Sequence, residues 1–423
     1  MGSPAGSPPH SPANLGMWAP LRSRSFATLF AGYAASAIGD GMSAVAIAWL
    51  AIVLAHGHNT GLLVGAAVAA YTLPGMVVGI GLGRVLARWD ARLLILAEAV
   101  LRMVSLSLIA IGAMVGILTP VGYVGLLGIS SLLGLLGVTG EITSVVELLP
   151  PAQHVAGNSL LTVASFGASI VGPALAGGVI VVVGPGAAIG TDAASYAVLV
   201  LAAVLSRRFQ APPPTRGGNQ SVVGAVRSLR HQPAVLAITV LCVAFYGLYG
   251  PVEVALPVYV SKVLHAGPGA LGGYWTLFAL GATVGALSVS WVQRFGLWKV
   301  SIAVMAGWGA CLVPFGLVNS VIVGFAALAV GGLVYGPFLP LKRTIIQRYS
   351  PPGYLTSLAA ASAILTLPVA PIGTALGGPL VTAIGPASTL LASGLATIAA
   401  AAVAGVVLLT LRRRRTRWTA VTP

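Results

Sequence analysis

The sequence predicts an all-α integral membrane protein, with twelve transmembrane helices in two pseudo-symmetric six-helix bundles. Three observations carry that expectation. Of 423 residues, 57% are hydrophobic and only 7% are charged, against about 25% charged in soluble domains. The apolar residues fall in runs long enough to cross a bilayer, which takes about 20 residues each. The 22 Lys and Arg are sorted, with all but Lys262 and Arg102 lying toward one side of a twelve-span reading. Basic loops stay cytoplasmic, so both termini are expected inside. Arg is far commoner than Lys, which fits a high-GC bacterial genome. The expected location is therefore a bacterial inner (plasma) membrane.

The elements follow in order. Residues 1–25 are rich in Ser, Pro and Gly and lack an apolar core. They read as a disordered cytoplasmic tail rather than a signal peptide. The N-terminal bundle, 26–206, holds spans Phe26–Leu54, Gly61–Leu86, Leu93–Leu118, Val121–Leu149, Val155–Val183 and Ala187–Leu205. Residues 207–233 form a cytoplasmic linker, opening with Arg207 and Arg208 and stiffened by Pro212, Pro213 and Pro214. Val222, Val226 and Leu229 then share one face opposite Arg227 and Arg230, which reads as a short helix lying on the membrane surface. The C-terminal bundle, 234–411, holds Ala234–Val260, Ala270–Val292, Val300–Val318, Val321–Ile346, Leu355–Ile384 and Ala387–Leu411. Gly184-Pro185 and Gly385-Pro386 mark tight outer turns. Residues 412–423 form a basic tail, whose Arg412, Arg413, Arg414, Arg415 and Arg417 suit anionic inner-leaflet lipid.

The net charge of +15 does not mark a nucleic-acid binder, because it sits in short loops beside spans, where it orients the chain. Cys242 and Cys311 lie in apolar spans and read as packing residues. His56 and His58 have no further ligands nearby in sequence to suggest zinc. No cofactor or metal is expected.

The two halves share their punctuation. Val78-Gly79 precedes Arg88-Trp89 as Val284-Gly285 precedes Arg294-Phe295. Gly177-Gly178 leads to Gly184-Pro185 as Gly377-Gly378 leads to Gly385-Pro386. Pro150-Pro151 has its counterpart in Pro351-Pro352. Duplicated six-span halves are a transporter architecture, with the substrate site between them near mid-membrane.

Four stretches extend that architecture to a resemblance: Ser36–Asp40, Gly83–Arg92, Gly172–Gly178, and Gly250-Pro251-Val252-Glu253 with Leu256-Pro257. On these the chain resembles the major facilitator superfamily over nearly its whole length, most closely the enterobactin-exporter and macrolide-efflux branch. Gly83, Arg88 and Arg92 match the family's cytoplasmic gating-loop signature, Gly-x-x-x-Asp-Arg-x-Gly-Arg-Arg. Its Asp is replaced by Ala87, and Asp90 stands near enough to substitute in the latch that the family builds there. Gly172, Pro173, Gly177 and Gly178 resemble the exporters' fifth-span motif, which implies close helix contact.

Ionisable groups inside spans cost roughly 2.5–3.5 kcal/mol each at mid-membrane on insertion scales and are functional candidates by default. Asp40, between Gly39 and Gly41, has no basic residue one helical turn away. It reads as a proton-coupling carboxylate or as a structural hydrogen bond to a neighbouring helix. Glu98 and Arg102 share a face at i and i+4; they form a self-neutralising pair, or Arg102 contacts an anionic group in the cavity. Glu141 lies in the fourth span, which the resemblance places on the central cavity, and is the second proton or substrate candidate. Glu147 is expected at the interface. Asp192 and Glu253 fall in the outer half, as gate or structural groups. Tyr246, Tyr249, Trp275 and Tyr335 offer ring surface for a substrate or serve as packing.

No phosphate-binding Gly-x-x-x-x-Gly-Lys-Ser/Thr loop occurs, so active transport would draw on an ion gradient. The expected function is secondary transport by alternating access, with protons driving efflux of an amphipathic small molecule such as a drug, siderophore or secondary metabolite. The partners are that substrate, protons and the bilayer, with no nucleic acid and a monomeric chain. An importer or facilitator of a small solute, or a transport-inactive membrane sensor, are the alternatives.

Overall fold

An apolar run in lipid must satisfy its backbone N–H and C=O groups internally, so each span forms a helix. The computed structural model describes residues 16–57, 59–86, 90–206, 227–351 and 354–419, with 80–86 and 411–419 described by their backbone alone. Among the described residues, twelve helices long and apolar enough to cross a membrane follow one another. They are α1 (Arg24–Leu54), α2 (Thr60–Leu86), α3 (Ala91–Val115), α4 (Pro120–Leu148), α5 (His154–Val183) and α6 (Pro185–Leu205). The second set is α7 (Pro233–Lys262), α8 (Pro268–Leu287), α9 (Leu297–Leu317), α10 (Val321–Tyr349), α11 (Leu355–Ile384) and α12 (Pro386–Thr419). Because successive helices alternate in direction, the start of α1 and the end of α12 share one side of the molecule, called here the terminal face; the opposite one is the far face.

Local chemistry sets the ends. Ser23 caps α1, Asp90 caps α3 through Leu93 N–H at 2.8 Å, and Thr119 caps α4 through Gly122 N–H at 3.1 Å. The two predicted Gly-Pro turns form as expected: Gly184 (φ +97°) and Gly385 (φ +82°) take left-handed values that disfavour other residues, and the prolines open α6 and α12.

Several expectations need correction. Part of the stretch expected to be a disordered tail is ordered: Ala19–Arg22 forms a 3-10 turn with Ala19 and Pro20 buried. Residues 1–15, the signature residues Ala87, Arg88 and Trp89, linker residues 207–226 with Val222 and Val226, and residues 420–423 lie outside the described residues. Of the surface helix only 227–229 is described as helical, and its Leu229 is buried. Four of the twelve helices are not continuous: α4 is interrupted at Leu132-Leu133, α9 at Val313, α10 at Gly336-Pro337 and α11 at Leu367-Pro368, and the expected eighth span, Ala270–Val292, stops at Leu287, with a separate short helix over Val289–Val292. Pro314, Pro337 and Pro368 explain three of these, because proline removes an N–H and clashes with the preceding turn. Beside the α4 break, the Ser131 hydroxyl donates to the Ala70 carbonyl of α2 at 2.9 Å.

The packing repeats with a period of six helices. α1 lies on α5 and α6, α3 on α6, and α2 on α4. In the second half α7 lies on α11 and α12, α9 on α12, and α8 on α10. The two broadest contacts between halves, α5 with α8 and α2 with α11, exchange under the same pseudo-two-fold relation. The surface is lipid-like, with Val182 82% and Ile322 78% exposed, while polar Ser43, Asp192 and Thr374 are fully buried.

Without a hydrophobic driving force between helices in lipid, close backbone approach holds them together. At Gly332 of α10, a Cβ would run into the Phe278 carbonyl and the Ala282 N–H of α8. We expect G332L to lower the melting temperature of the detergent-solubilised protein by several degrees, since overpacking costs roughly 1–3 kcal/mol. An unchanged melt would show that the α8–α10 contact is dispensable.

Candidate functional site

The closest contacts between the two bundles lie in the far half of the molecule. A Cβ on Gly61 of α2 would lie 3.0 Å from Val381 Cβ of α11, and one on Gly65 would lie 2.9 Å from Gly378 Cα. Gly177 of α5 similarly abuts Gly269 of α8, at 3.0 Å from Cβ position to Cα. Deeper in, Thr276 Oγ1 of α8 donates to the Ile170 carbonyl of α5 at 3.0 Å. Toward the terminal face, α5 presents Asn158, Thr162, Ser165 and Ser169, all exposed and spaced to share one side. Each donates to a carbonyl one turn earlier, at 2.8–3.0 Å. These bonds satisfy the side chains within their own helix and leave the terminal half of α5 with an exposed polar side. The sequence reading missed it; a helical period of hydroxyl and amide residues in an apolar span was the available signal.

Arg102 organises the N-terminal bundle. Its Nη1 donates to Asp40 Oδ1 at 3.0 Å, to the Tyr71 hydroxyl at 2.7 Å and to the Tyr196 hydroxyl at 2.9 Å. Its Nε lies 2.6 Å from Glu98 Oε1. The guanidinium also sits over the Tyr71 and Tyr196 rings, 5.0 and 5.4 Å from their centroids. Both phenols donate to Asp40 Oδ1, at 2.9 and 2.8 Å. Helices α1, α2, α3 and α6 thus meet on one carboxylate. The Asp40 side chain is 46% exposed, against 7% for Glu98 and 13% for Arg102, so Asp40 is the accessible carboxylate of this cluster.

Asp192 lies beneath it, fully buried, taking hydrogen bonds from Ser43 and Ser195 and close enough to Asp40 for their charges to interact. Glu141 on α4 is half-buried and within electrostatic reach of Asp40 and Glu98. Close packing leaves room for these groups only where side chains are absent: a Cβ on Gly137 of α4 would fall 2.8 Å from Glu98 Cδ. Among the described residues the only two ion pairs are those of Arg102. The sequence shows no base a turn from Asp40; the fold supplies one from α3.

Glu147 sits one residue from the end of α4, packed against protein at 6% exposure, and accepts the Ala91 N–H at the start of α3 at 3.3 Å. Asp90 caps the same helix end, and Arg92 donates to the Ala203 and Val204 carbonyls of α6, both at 3.0 Å. The gating-loop residues Asp90 and Arg92 thus hold the α3 terminus, Gly83 is helical in its backbone, and Arg88 is outside the described residues. In α5, Gly172 abuts Gly41 of α1, and the Pro173 carbonyl lies over Gly272 of α8. Gly178 has open space.

The C-terminal bundle holds a cavity of about 360 Å³, bounded by α7, α8, α10 and α11. Tyr246, Tyr249 and Tyr335 line it, joined by Phe245, Phe278 and Lys342. Trp275 stays off the wall, edge-on to Phe278 at 6.0 Å. Both α10 and α11 break where they border the cavity, and broken helices at membrane depth characteristically line such spaces. Glu253 lies behind Tyr249 and accepts from Thr374 Oγ1 of α11 at 2.8 Å.

Two matched bundles, in close contact in the far half and carrying polar and aromatic sites within their spans, define a membrane transporter. The chain belongs to the Major Facilitator Superfamily, whose family model matches residues 29–367. It is 27% identical over 409 residues to the multidrug efflux pump Tap of Mycolicibacterium fortuitum, covering 92% of this chain and 95% of that protein. It is 29% identical over 259 residues to Tap of Mycobacterium tuberculosis, covering 56% and 58%. Its fold is similar to the nucleoside transporter NupG (TM-score 0.73, 13% identity, 90% of this chain and 99% of that one). It is also similar to an inward-facing bacterial homologue of the lysosomal transporter Spinster (TM-score 0.64, 12% identity, 95% and 96%).

Proposed function

We propose that this protein is a proton-coupled exporter of an amphipathic small molecule, working by alternating access as a monomer. The terminal face is the cytoplasmic one, because the Lys and Arg gather there; with the bundles closest in the far half and the exposed polar side of α5 taken as the wall of a cleft, the conformation is inward-open. The observation that carries the coupling is a charge imbalance at the cleft wall. Arg102 is the single cation among Asp40, Glu98, Glu141 and Asp192. Glu98 and Asp192 are buried, and one guanidinium cannot neutralise them together with Asp40 and Glu141 once the cleft closes and water leaves; protons make up the difference, and their number follows the opening of the cleft to water. Proton exchange at Asp40 and Glu141 then biases the inward- against the outward-open state. Efflux as the direction draws on the 27% identity to the Tap pump.

Everted vesicles test the coupling. With a cationic dye and an aromatic acid as probe substrates, the wild type should accumulate at least one of them when a proton gradient is imposed. D40N/E141Q should lose at least about nine-tenths of that gradient-driven uptake while keeping exchange of labelled for unlabelled substrate. Full gradient-driven uptake by the double variant would sink the assignment.

A further inference from the structure

The charges of the two bundles are sorted. Six of the seven acidic residues belong to the N-terminal half, and Glu253 is the sole carboxylate of the C-terminal half. Lys342 stands in that half on the wall of the aromatic cavity. Its Nζ donates to Thr366 Oγ1 at 3.2 Å and lies 5.7 Å from the Tyr246 ring centroid. Among the described residues, no carboxylate comes within ion-pair distance of it. Glu253 is engaged by Thr374 instead. An ammonium has three donors, so after Thr366 two remain to be used. A span lysine without a counter-ion is costly, and ring contact offsets only part of that.

We propose that the C-terminal cavity is a binding site for an aromatic anion, with Lys342 pairing the ligand's carboxylate or sulfonate and the Tyr246, Tyr249, Tyr335 and Phe278 rings taking its apolar body. The volume of about 360 Å³ matches a two- or three-ring molecule. The proposal rests on the transporter reading and names its substrate class. The counter-ion that Lys342 lacks in the protein arrives with the substrate. Asp40 in the opposite bundle is left to protons rather than to a cationic ligand.

Equilibrium binding to the full chain in neutral-lipid nanodiscs tests this without any gradient, so a failure of proton coupling or of export direction leaves the readout intact. The probes are 2-naphthoate, its neutral amide, and 2-naphthylmethylammonium. We expect naphthoate to bind at least about tenfold tighter than the amide, the ammonium to bind weakest, and K342Q to remove the preference. K342R should keep most of it. The comparison of probes on the wild type stands even if K342Q folds poorly. No saturable naphthoate binding, equal or tighter binding of the ammonium, or unchanged naphthoate affinity in well-folded K342Q would each overturn the proposal.

Discussion

R102M should abolish transport, to below about one-hundredth of wild type, and should be markedly less stable in detergent. The guanidinium reaches Asp40 at 3.0 Å, Glu98 at 2.6 Å and two phenols, and it spans the rings of Tyr71 and Tyr196. Removing one member of a buried ion pair costs about 3–5 kcal/mol, mostly because the partner is left charged and dry. Here the buried Glu98 loses its cation, and the more exposed Asp40 loses its partner with it. R102K keeps the charge but neither the planar fork nor the stacking, so it should melt between wild type and R102M and transport weakly. The triple variant D40N/E98Q/R102M separates structure from coupling: it should recover most of the melting temperature and none of the gradient-driven transport. A melt of R102M within a degree or two of wild type would show that the cluster does not hold α1, α3 and α6 together.

That cluster was only half legible in the sequence. The i, i+4 spacing announced Glu98 with Arg102, because helix geometry alone brings such residues together. The link from Arg102 to Asp40 was invisible: the two are on different helices, and the approach depends on α1, α2, α3 and α6 converging. Asp192 fell in the same gap, since its partner Ser43 is distant in sequence. The span positions, by contrast, were written in the apolar runs, and the Gly-Pro turns in a dipeptide whose backbone needs are local. The helix breaks at Pro314, Pro337 and Pro368 had a readable cause, yet hydropathy runs straight through them. Lys342 was hidden by its company: beside Arg343 it reads as an end-of-span basic pair, and only the fold shows it on the wall of an aromatic cavity. Trp275 shows the converse, an aromatic with the right chemistry that is not part of the cavity wall.

Alternating access makes a second prediction of comparable size at the far-face seam. If the bundles rock, Gly61 and Val381 must separate in every cycle. Cβ atoms at these positions would lie 3.0 Å apart, slightly closer than the roughly 3.8 Å mean of a disulfide, so G61C/V381C should cross-link after a shift of under an ångström. In a background lacking Cys242 and Cys311, oxidation should reduce transport to below about one-tenth and a thiol reductant should restore it. Naphthoate binding from the terminal side should survive the cross-link, because the seal is at the opposite face and the C-terminal cavity is bounded by α7, α8, α10 and α11 rather than by the α2–α11 seam. Loss of transport with retained binding is the signature of a protein locked in one state rather than damaged. Full transport by the quantitatively cross-linked protein would mean that α2 and α11 move as one body, and the rocking of two bundles about a central site would have to be abandoned.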